Sequence, residues 1–272
     1  MRKIWRLVAM GWLVAALAGC GGYYRAEDAP GSFGSGTDLR LGLMQAFGPP
    51  LSPVVRNIRT PHGKLSRFAE VEAMLWRELR PLDIVLVRSR PALTRAFIPS
   101  HFTHAMIWLG DEAGMRRNGA WASPAVRLRG AELAGGLTVL ESSKDSVHLS
   151  PFTEMLEVDE VLVLHASPRR PARRSYEALF ERLGTPFDVA FDLSDASRLT
   201  CAELIAEVFP EFRLPVRYAS GRLAIIPDDI ARRALDGSPH LSFGLSIRAE
   251  GGSFVVGKPS DLRRRLTTPR TR

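Results

Sequence analysis

The sequence predicts one α+β domain. Four short apolar runs, at residues 83–87, 104–109, 137–141 and 160–164, have the length and flanking residues of β-strands. Apolar residues at helical spacing occur both before the first run and after the last one. A chain of 272 residues with 45% hydrophobic content can bury one good core without needing a second. One folded domain with a tether is therefore expected.

The elements on either side of these runs follow from spacing and from helix-breaking residues. A helix begins near Ser66 and is stopped by Pro81, directly before the first strand. After the fourth strand, a helix over about residues 175–183 leads into an irregular stretch that starts at Gly184. The next helix begins at Cys201.

The C-terminal third predicts one more helix and a hairpin. A short helix follows Pro227, and residues 241–256 form a hairpin that turns at Gly251-Gly252. We expect the folded domain to cover residues 61–257. Residues 258–272 are expected to form a basic, disordered tail.

The first twenty residues have the layout of a secretory signal that ends in a lipidation motif. Three basic residues precede a mostly apolar stretch over residues 7–16, and Leu17-Ala18-Gly19-Cys20 follows. The stretch is too short to span a bilayer comfortably, and its ending resembles the bacterial lipobox. We therefore expect residues 1–19 to be a signal peptide and Cys20 to carry acyl chains. An ordinary cleaved signal, or a membrane anchor with an incidental cysteine, remains the alternative.

The residues after the motif predict how the protein sits in the cell. Residues 20–60 are rich in Gly, Pro and Ser, the composition of a flexible tether. Several acyl chains on Cys20 would hold the protein stably on a membrane. Gly21, rather than an acidic residue, follows the cysteine, which resembles lipoproteins forwarded to an outer membrane. The expected location is the bacterial cell envelope, on the outer membrane and facing the periplasm.

The basic charge does not require a nucleic-acid partner. The formal net charge of +8 falls to +5 without residues 1–19, which carry three basic and no acidic residues. An exported lipoprotein meets anionic lipid headgroups and cell-wall polymers, not nucleic acid. The arginine clusters are interpreted as solvated surface charge. The main clusters are Arg169-Arg170, Arg173-Arg174 and Arg263-Arg264-Arg265.

Cys201 is the one thiol expected to remain in the mature protein. Thr200-Cys201-Ala202-Glu203 fits a capping box, with Thr200 as N-cap and Glu203 reaching back to its amide. Cys201 then lies in the first helical turn, where unpaired amides and the helix dipole favour a thiolate. The same amides can hold the oxyanion that forms when a carbonyl is attacked. A small buried apolar residue with no reactivity is the alternative interpretation.

A thiol hydrolase also needs a base and a group that orients the base. His104 heads the second predicted strand, and His101 is its main competitor. Glu141 ends the third predicted strand, so its carboxylate can fix the imidazole tautomer if the two strands are neighbours. Asp145 and His148 are alternatives for the orienting group. A structural histidine and an exposed strand end also remain open.

Five motifs stand in an order that resembles a known family. They are Asp83-Ile84-Val85-Leu86, Phe102-Thr103-His104-Ala105, Glu141, Phe187-Asp188-Val189-Ala190-Phe191-Asp192 and Thr200-Cys201-Ala202-Glu203-Leu204. The order resembles the circularly permuted papain-like hydrolases of the NlpC superfamily, the YaeF/YiiX group, over roughly residues 78–235. The resemblance implies a permuted papain-like fold, in which an antiparallel sheet or small barrel packs against helices that include the cysteine helix.

The resemblance also implies roles and shows two departures. It implies Cys201 as nucleophile, His104 as general base and Glu141 as the orienting residue. Leu82 stands where the family usually has glycine, and Phe187 where it often has tyrosine, so no role of that hydroxyl is carried over. Asp188 and Asp192 match the motif without a role of their own.

These features together predict a lipid-anchored cysteine hydrolase without a cofactor. An amide bond in cell-wall peptide is the expected substrate. A lipid acyl hydrolase or acyltransferase is the first alternative, because the permuted branch is also related to lecithin retinol acyltransferase-like enzymes. A non-catalytic lipoprotein binding module is the second. A metal site of His101, His104 and Cys201 is disfavoured, because there is no close cysteine pair and no His-Glu-x-x-His spacing. The oligomeric state stays open.

Overall fold

The main sheet has seven strands, and every neighbouring pair is antiparallel. Helices pack against this sheet, so the α+β class is confirmed. The predicted signal peptide, Cys20 and nearly all of the predicted tether lie outside the described residues. The computed structural model describes residues 23–24, 64–89, 100–143, 145–219 and 222–267.

The elements are numbered in chain order. The strands are β1 (Tyr23–Tyr24), β2 (Ile84–Arg88), β3 (His104–Trp108), β4 (Val139–Ser143), β5 (Ser146–Ser150), β6 (Glu160–Ala166), β7 (Arg217–Ala219), β8 (Arg222–Ala224), β9 (Leu241–Glu250) and β10 (Ser253–Gly257). The α-helices are α1 (Ala69–Glu78), α2 (Glu112–Arg117), α3 (Pro124–Leu128), α4 (Gly130–Ala134), α5 (Ala172–Phe180), α6 (Cys201–Val208), α7 (Pro227–Leu235) and α8 (Pro259–Thr267). The main sheet runs β10-β9-β6-β2-β3-β4-β5, and β1, β7 and β8 form a small second sheet.

The predicted elements are present, and the additional ones are short. The first helix, the four strands, the cysteine helix and the C-terminal hairpin all appear near their predicted positions. α2, α3 and α4 have only five or six residues each, too few for a helical period to show in the sequence. Among the described helices, none combines the length and the apolar character that a membrane span requires.

The central strands are buried on both faces of the sheet. Side chains alternate along β2: Ile84 joins the core under α6, whereas Val85 joins the core under α1. α6 contributes Ile205 to the first core, and α1 contributes Leu75 to the second. Each such fully buried side chain stabilises the fold by roughly 1.5–3 kcal/mol. Burial on both faces explains why the strands appear as continuous apolar runs in the sequence.

The prediction of a disordered tail over residues 258–272 is wrong for the part that the structure describes. α8 buries Leu262 and Leu266 in the first core, the one to which α6 contributes. Arg265 also donates to the buried carboxylate of Glu160. The prediction of disorder rested on the richness of this segment in arginine. It did not take account of the two leucines, which stand four residues apart and so share one helical face. The folded domain therefore continues past the predicted boundary.

Leu82 occupies a backbone position that suits glycine. Its φ is +75°, in the left-handed region where an L-residue costs about 1–2 kcal/mol and glycine does not. Its side chain is only 3% exposed and packs in the first core. The turn before β2 therefore needs a positive φ, which agrees with the glycine that the resemblance leads us to expect at this position. The leucine offsets the backbone cost through burial.

This backbone strain should reverse the usual ranking of two substitutions. Leu82→Ala is expected to lower the free energy of unfolding by about 2–5 kcal/mol, because it removes a buried side chain and keeps the strain. Leu82→Gly removes the same side chain but relieves the strain, so it should be about 1 kcal/mol more stable than Leu82→Ala. Urea denaturation measures both. At an unstrained site, a glycine variant is less stable than the alanine variant by roughly 0.5–1 kcal/mol. If Leu82→Gly were likewise less stable than Leu82→Ala, the backbone strain at this position would be contradicted.

Candidate active site

The capping box places Cys201 at the start of α6. Thr200 Oγ1 accepts a hydrogen bond from the amide of Glu203 at 3.3 Å, and Glu203 Oε2 accepts one from the amide of Thr200 at 2.9 Å. The amides of Cys201 and Ala202 have no hydrogen-bond acceptor among the described residues. Two N–H groups and the positive end of the helix dipole therefore lie beside the thiol.

A second contact fixes this helix end against the sheet. The buried Ser142 hydroxyl of β4 donates to the carbonyl of Leu199 at 2.6 Å. α6 packs against β3 and β4, with Ala202 and Ile205 fully buried. His104 is the first residue of β3, one of the two strands that contact α6.

The structure brings together all three predicted site residues. Met106 lies opposite Glu141 in the β3–β4 register, so His104 and Glu141 are diagonal neighbours on one face. His104 Nε2 lies 2.6 Å from Glu141 Oε2. The same imidazole interacts with Cys201 closely enough for the cysteine to raise the pKa of His104. Since the carboxylate occupies Nε2, Nδ1 is the ring nitrogen left available to the thiol.

The charges in this group stabilise one another. Burial by itself lowers the pKa of His104, but the negative charge and hydrogen bond of Cys201, together with the Glu141 carboxylate, raise it to about 10. Burial by itself raises the pKa of Glu141, but the hydrogen bond and charge of His104, with a hydrogen bond from Ser150, lower it to about 2. An imidazolium paired with the Glu141 carboxylate is therefore the favoured state at neutral pH.

Ser150 belongs to this group and was missed from the sequence. Its buried hydroxyl donates to Glu141 Oε1, on the side away from His104. His148 stands directly opposite Glu141 on β5, with its Nε2 3.8 Å from Glu141 Oε1, so it is a neighbour of the orienting group and not a substitute for it. Asp145 lies in an exposed turn. The residues of β5 are too polar to predict a strand, which left no signal for Ser150.

His101 belongs to a different network. Its Nε2 lies 2.9 Å from Glu160 Oε2, and its amide donates to Asp228 Oδ2 at 2.7 Å. His101 is buried there and joins β6 to the start of α7. Within the described segments, no group of three or more His, Cys, Asp or Glu side chains is arranged to hold a metal ion.

Asp188 and Asp192 shape the loop that leads to Cys201. The carboxylate of Asp188 accepts the amides of Ala190 at 2.8 Å and Asp192 at 2.5 Å. The carboxylate of Asp192 in turn accepts the amide and the hydroxyl of Ser194. Burial raises the pKa of Asp188, against the effect of these amides. Both carboxylates bind backbone amides of the loop, so their role in the motif is structural.

The fold and the site define a class of protein. A thiol at a helix start, an imidazole and a carboxylate form a papain-like site, and the histidine strand precedes the cysteine helix in the chain, which is the permuted order.

The chain belongs to the family described as permuted papain-like amidase enzyme, YaeF/YiiX, C92 family, whose model matches residues 78–233, more than half of the chain. No curated protein and no solved structure matches the chain significantly. The matched segment runs from the last residue of α1 into α7 and contains Cys201, His104 and Glu141. The resemblance predicted from the motifs is confirmed. The protein is therefore a thiol hydrolase of the amidase type.

Glu141→Gln should move the alkaline limb of the pH profile. The carboxylate raises the pKa of His104, so the imidazolium of the wild type persists until the pH passes about 10. Removing the negative charge lowers that pKa, and the loss of kcat/KM at high pH then begins at a lower pH. We also expect a roughly 10–100-fold lower maximum, because the imidazole is held less well. The measurement is kcat/KM against pH for both proteins. An unchanged alkaline limb would contradict the charge coupling.

Proposed function

We propose that the protein hydrolyses an amide bond in cell-wall peptide through Cys201, His104 and Glu141. The observation that carries the proposal is the imidazole of His104, which lies 2.6 Å from Glu141 Oε2 and whose pKa is raised by both Cys201 and Glu141. This is the arrangement of a nucleophile, its base and the group that orients the base.

The first half of the reaction forms an acyl-enzyme. The Cys201 thiolate attacks the amide carbon, and the oxygen takes up the negative charge. The amides of Cys201 and Ala202, unpaired within the described chain, are the N–H groups available to stabilise this oxyanion. The His104 imidazolium gives its proton to the leaving nitrogen, the C–N bond breaks, and the amine departs. A thioester to Cys201 remains.

The second half releases the acid. Neutral His104 takes a proton from a water molecule, which attacks the thioester carbon. The tetrahedral intermediate collapses with loss of the Cys201 thiolate, and the carboxylic acid leaves. His104 is again an imidazolium, so the site returns to its starting state. Glu141 remains a carboxylate throughout the cycle, because its pKa is about 2. Its charge stabilises His104 whenever the imidazole is protonated.

The choice of substrate rests on the family and on the N-terminal residues. The family is one of amidases, which favours an amide over an ester. The proposed lipid on Cys20 and the tether over residues 20–60 would hold the enzyme on the outer membrane, within reach of periplasmic peptidoglycan. Labelled palmitate should enter the wild type and not Cys20→Ser. Equal labelling of the two proteins would overturn the anchor.

Turnover by the full chain in detergent tests the substrate. Purified cell-wall peptide fragments are expected to gain new amino groups, detected by mass spectrometry, with wild type and not with Cys201→Ala. Phospholipid in mixed micelles should release no fatty acid. Release of fatty acid without cleavage of peptide would favour the lipid acyl alternative, which the membrane location also allows. Cleavage of neither would contradict the proposed substrate.

A further inference from the structure

A pocket lies between the β9–β10 hairpin and α8, and it shares no residue with the Cys201 site. Its volume is about 270 Å³, which suits a small polar group better than an extended ligand. The residues that line it come from one face of the hairpin and from the first two turns of the helix. They are Ser246, Arg248, Val255, Gly257, Asp261, Arg264 and Arg265.

The floor of this pocket contains a buried hydroxyl group without a partner. Ser246 is 1% exposed, and its Oγ makes no hydrogen bond among the described residues. An unsatisfied buried polar group of this kind needs an explanation, and a ligand is one of the few. Ser246 lies opposite Gly257 in the β9–β10 register, so the hydroxyl faces a residue without a side chain. A Cβ on Gly257 would lie 3.2 Å from Ser246 Oγ.

Arg265 directs a second donor to the same space. Its Nη1 donates to Glu160 and its Nε to the carbonyl of Asp261 at 3.4 Å, whereas Nη2 has no acceptor in the part of the chain that the structure describes. The same Cβ on Gly257 would lie 3.6 Å from Nη2. A side chain at position 257 would therefore crowd Ser246 Oγ and touch Arg265 Nη2, and glycine leaves both donors uncovered on this side.

The charges around the space favour an anion. Three arginines line the pocket against one acid, Asp261. Asp261 already accepts the amide of Lys258 at 3.2 Å and pairs with Arg264 at 2.5 Å. Arg248 pairs with Glu250 on the surface, and an exposed pair of this kind is weak. Arg248 can therefore turn toward a ligand at low cost, and the largely exposed Arg264 side chain lines the same pocket.

We propose that this pocket binds a phosphate group. Ser246 Oγ and Arg265 Nη2 lie beside Gly257, and the side chains of Arg248 and Arg264 line the same pocket. A tetrahedral oxyanion presents acceptors in several directions, whereas a carboxylate presents them in one plane. The phosphate belongs either to a lipid headgroup or to a free phosphate compound, and the pocket chemistry is the same for both. This site does not depend on the proposed hydrolase activity.

Calorimetric titration of the full chain in nonionic detergent tests the site. One arm uses inorganic phosphate, and the other uses dihexanoyl phosphatidic acid, each at constant ionic strength. Ser246→Ala should weaken binding several-fold, and Gly257→Ala roughly tenfold or more, because it fills the space. Gly257 has no positive φ, so alanine adds no backbone strain. The double variant Ser246→Ala with Gly257→Ala removes the crowded contact and stays blocked, even if the single variant folds poorly.

A matched control separates the pocket from overall charge. Arg264→Gln should weaken binding roughly tenfold, whereas Arg174→Gln, which removes the same charge from the exposed face of α5, should not. Binding of both ligands, or of one of them, with loss in the pocket variants supports the site and identifies the source of the phosphate. Binding of neither ligand, equal binding by the blocked variants, or equal loss in Arg174→Gln would overturn it.

Discussion

Cys201→Ala is expected to lower kcat/KM on the proposed peptide substrate by on the order of 10⁴-fold or more. The sulfur forms and breaks every bond to the acyl group in the proposed mechanism, and no other cysteine lies among the described residues. Removal of a nucleophile costs most of the catalysis that its whole group provides. The measurement is turnover of cell-wall peptide fragments, with mass spectrometry of the wild-type protein during turnover to detect the thioester.

Two controls make this result specific. Cys201→Ser keeps the size of the side chain and its place at the helix start, so it should fold like the wild type and remain almost inactive. Iodoacetamide should modify the wild-type thiol faster than a free model thiol at neutral pH, because a thiolate is the reactive form. Normal turnover by Cys201→Ala would exclude Cys201 as the nucleophile.

His104→Ala is expected to lower kcat/KM by roughly 10³–10⁴-fold, at the upper end for loss of a general acid–base group. The same change removes the positive charge that pairs with the thiolate, so alkylation of Cys201 at neutral pH should also slow. Rates of turnover and of alkylation, each measured against pH, separate the two effects. A variant with normal turnover and a normal alkylation rate would exclude His104 from the site.

His101 provides the matched control for His104. It is also a buried histidine with a carboxylate partner, 2.9 Å away, but the partner is Glu160. His101→Ala should lower the free energy of unfolding, because it leaves a buried carboxylate with one partner fewer. Its folded fraction should keep wild-type kcat/KM. A loss of turnover equal to that of His104→Ala would make the two histidines indistinguishable.

Local sequence predicted the parts of the site that local interactions create. The capping box depends on Thr200 and Glu203, three residues apart, so the start of α6 could be assigned before its surroundings were known. The strands that carry His104 and Glu141 were visible as apolar runs because both faces of the sheet are buried. Their order along the chain then indicated the family.

The missed features depend on residues far apart in the sequence. Ser150 reaches Glu141 only because β5 folds back beside β4, and the residues of β5 carry no strand pattern. α8 is ordered by packing of Leu262 and by the pair of Arg265 with Glu160, 105 residues away. Charge density alone predicted disorder there, because it takes no account of a distant partner.

The sequence by itself determined the helix start at Cys201, the positions of the main strands along the chain and the α+β fold class. Capping and hydrophobic periodicity act over a few residues, so they can be recognised in the sequence. Only the tertiary structure decided which histidine meets the thiol. His101 and His104 are three residues apart, and strand register with helix packing directs one to Glu160 and the other to Glu141 and Cys201. Side-chain direction in a sheet depends on which strands become neighbours, and that is a property of the whole fold.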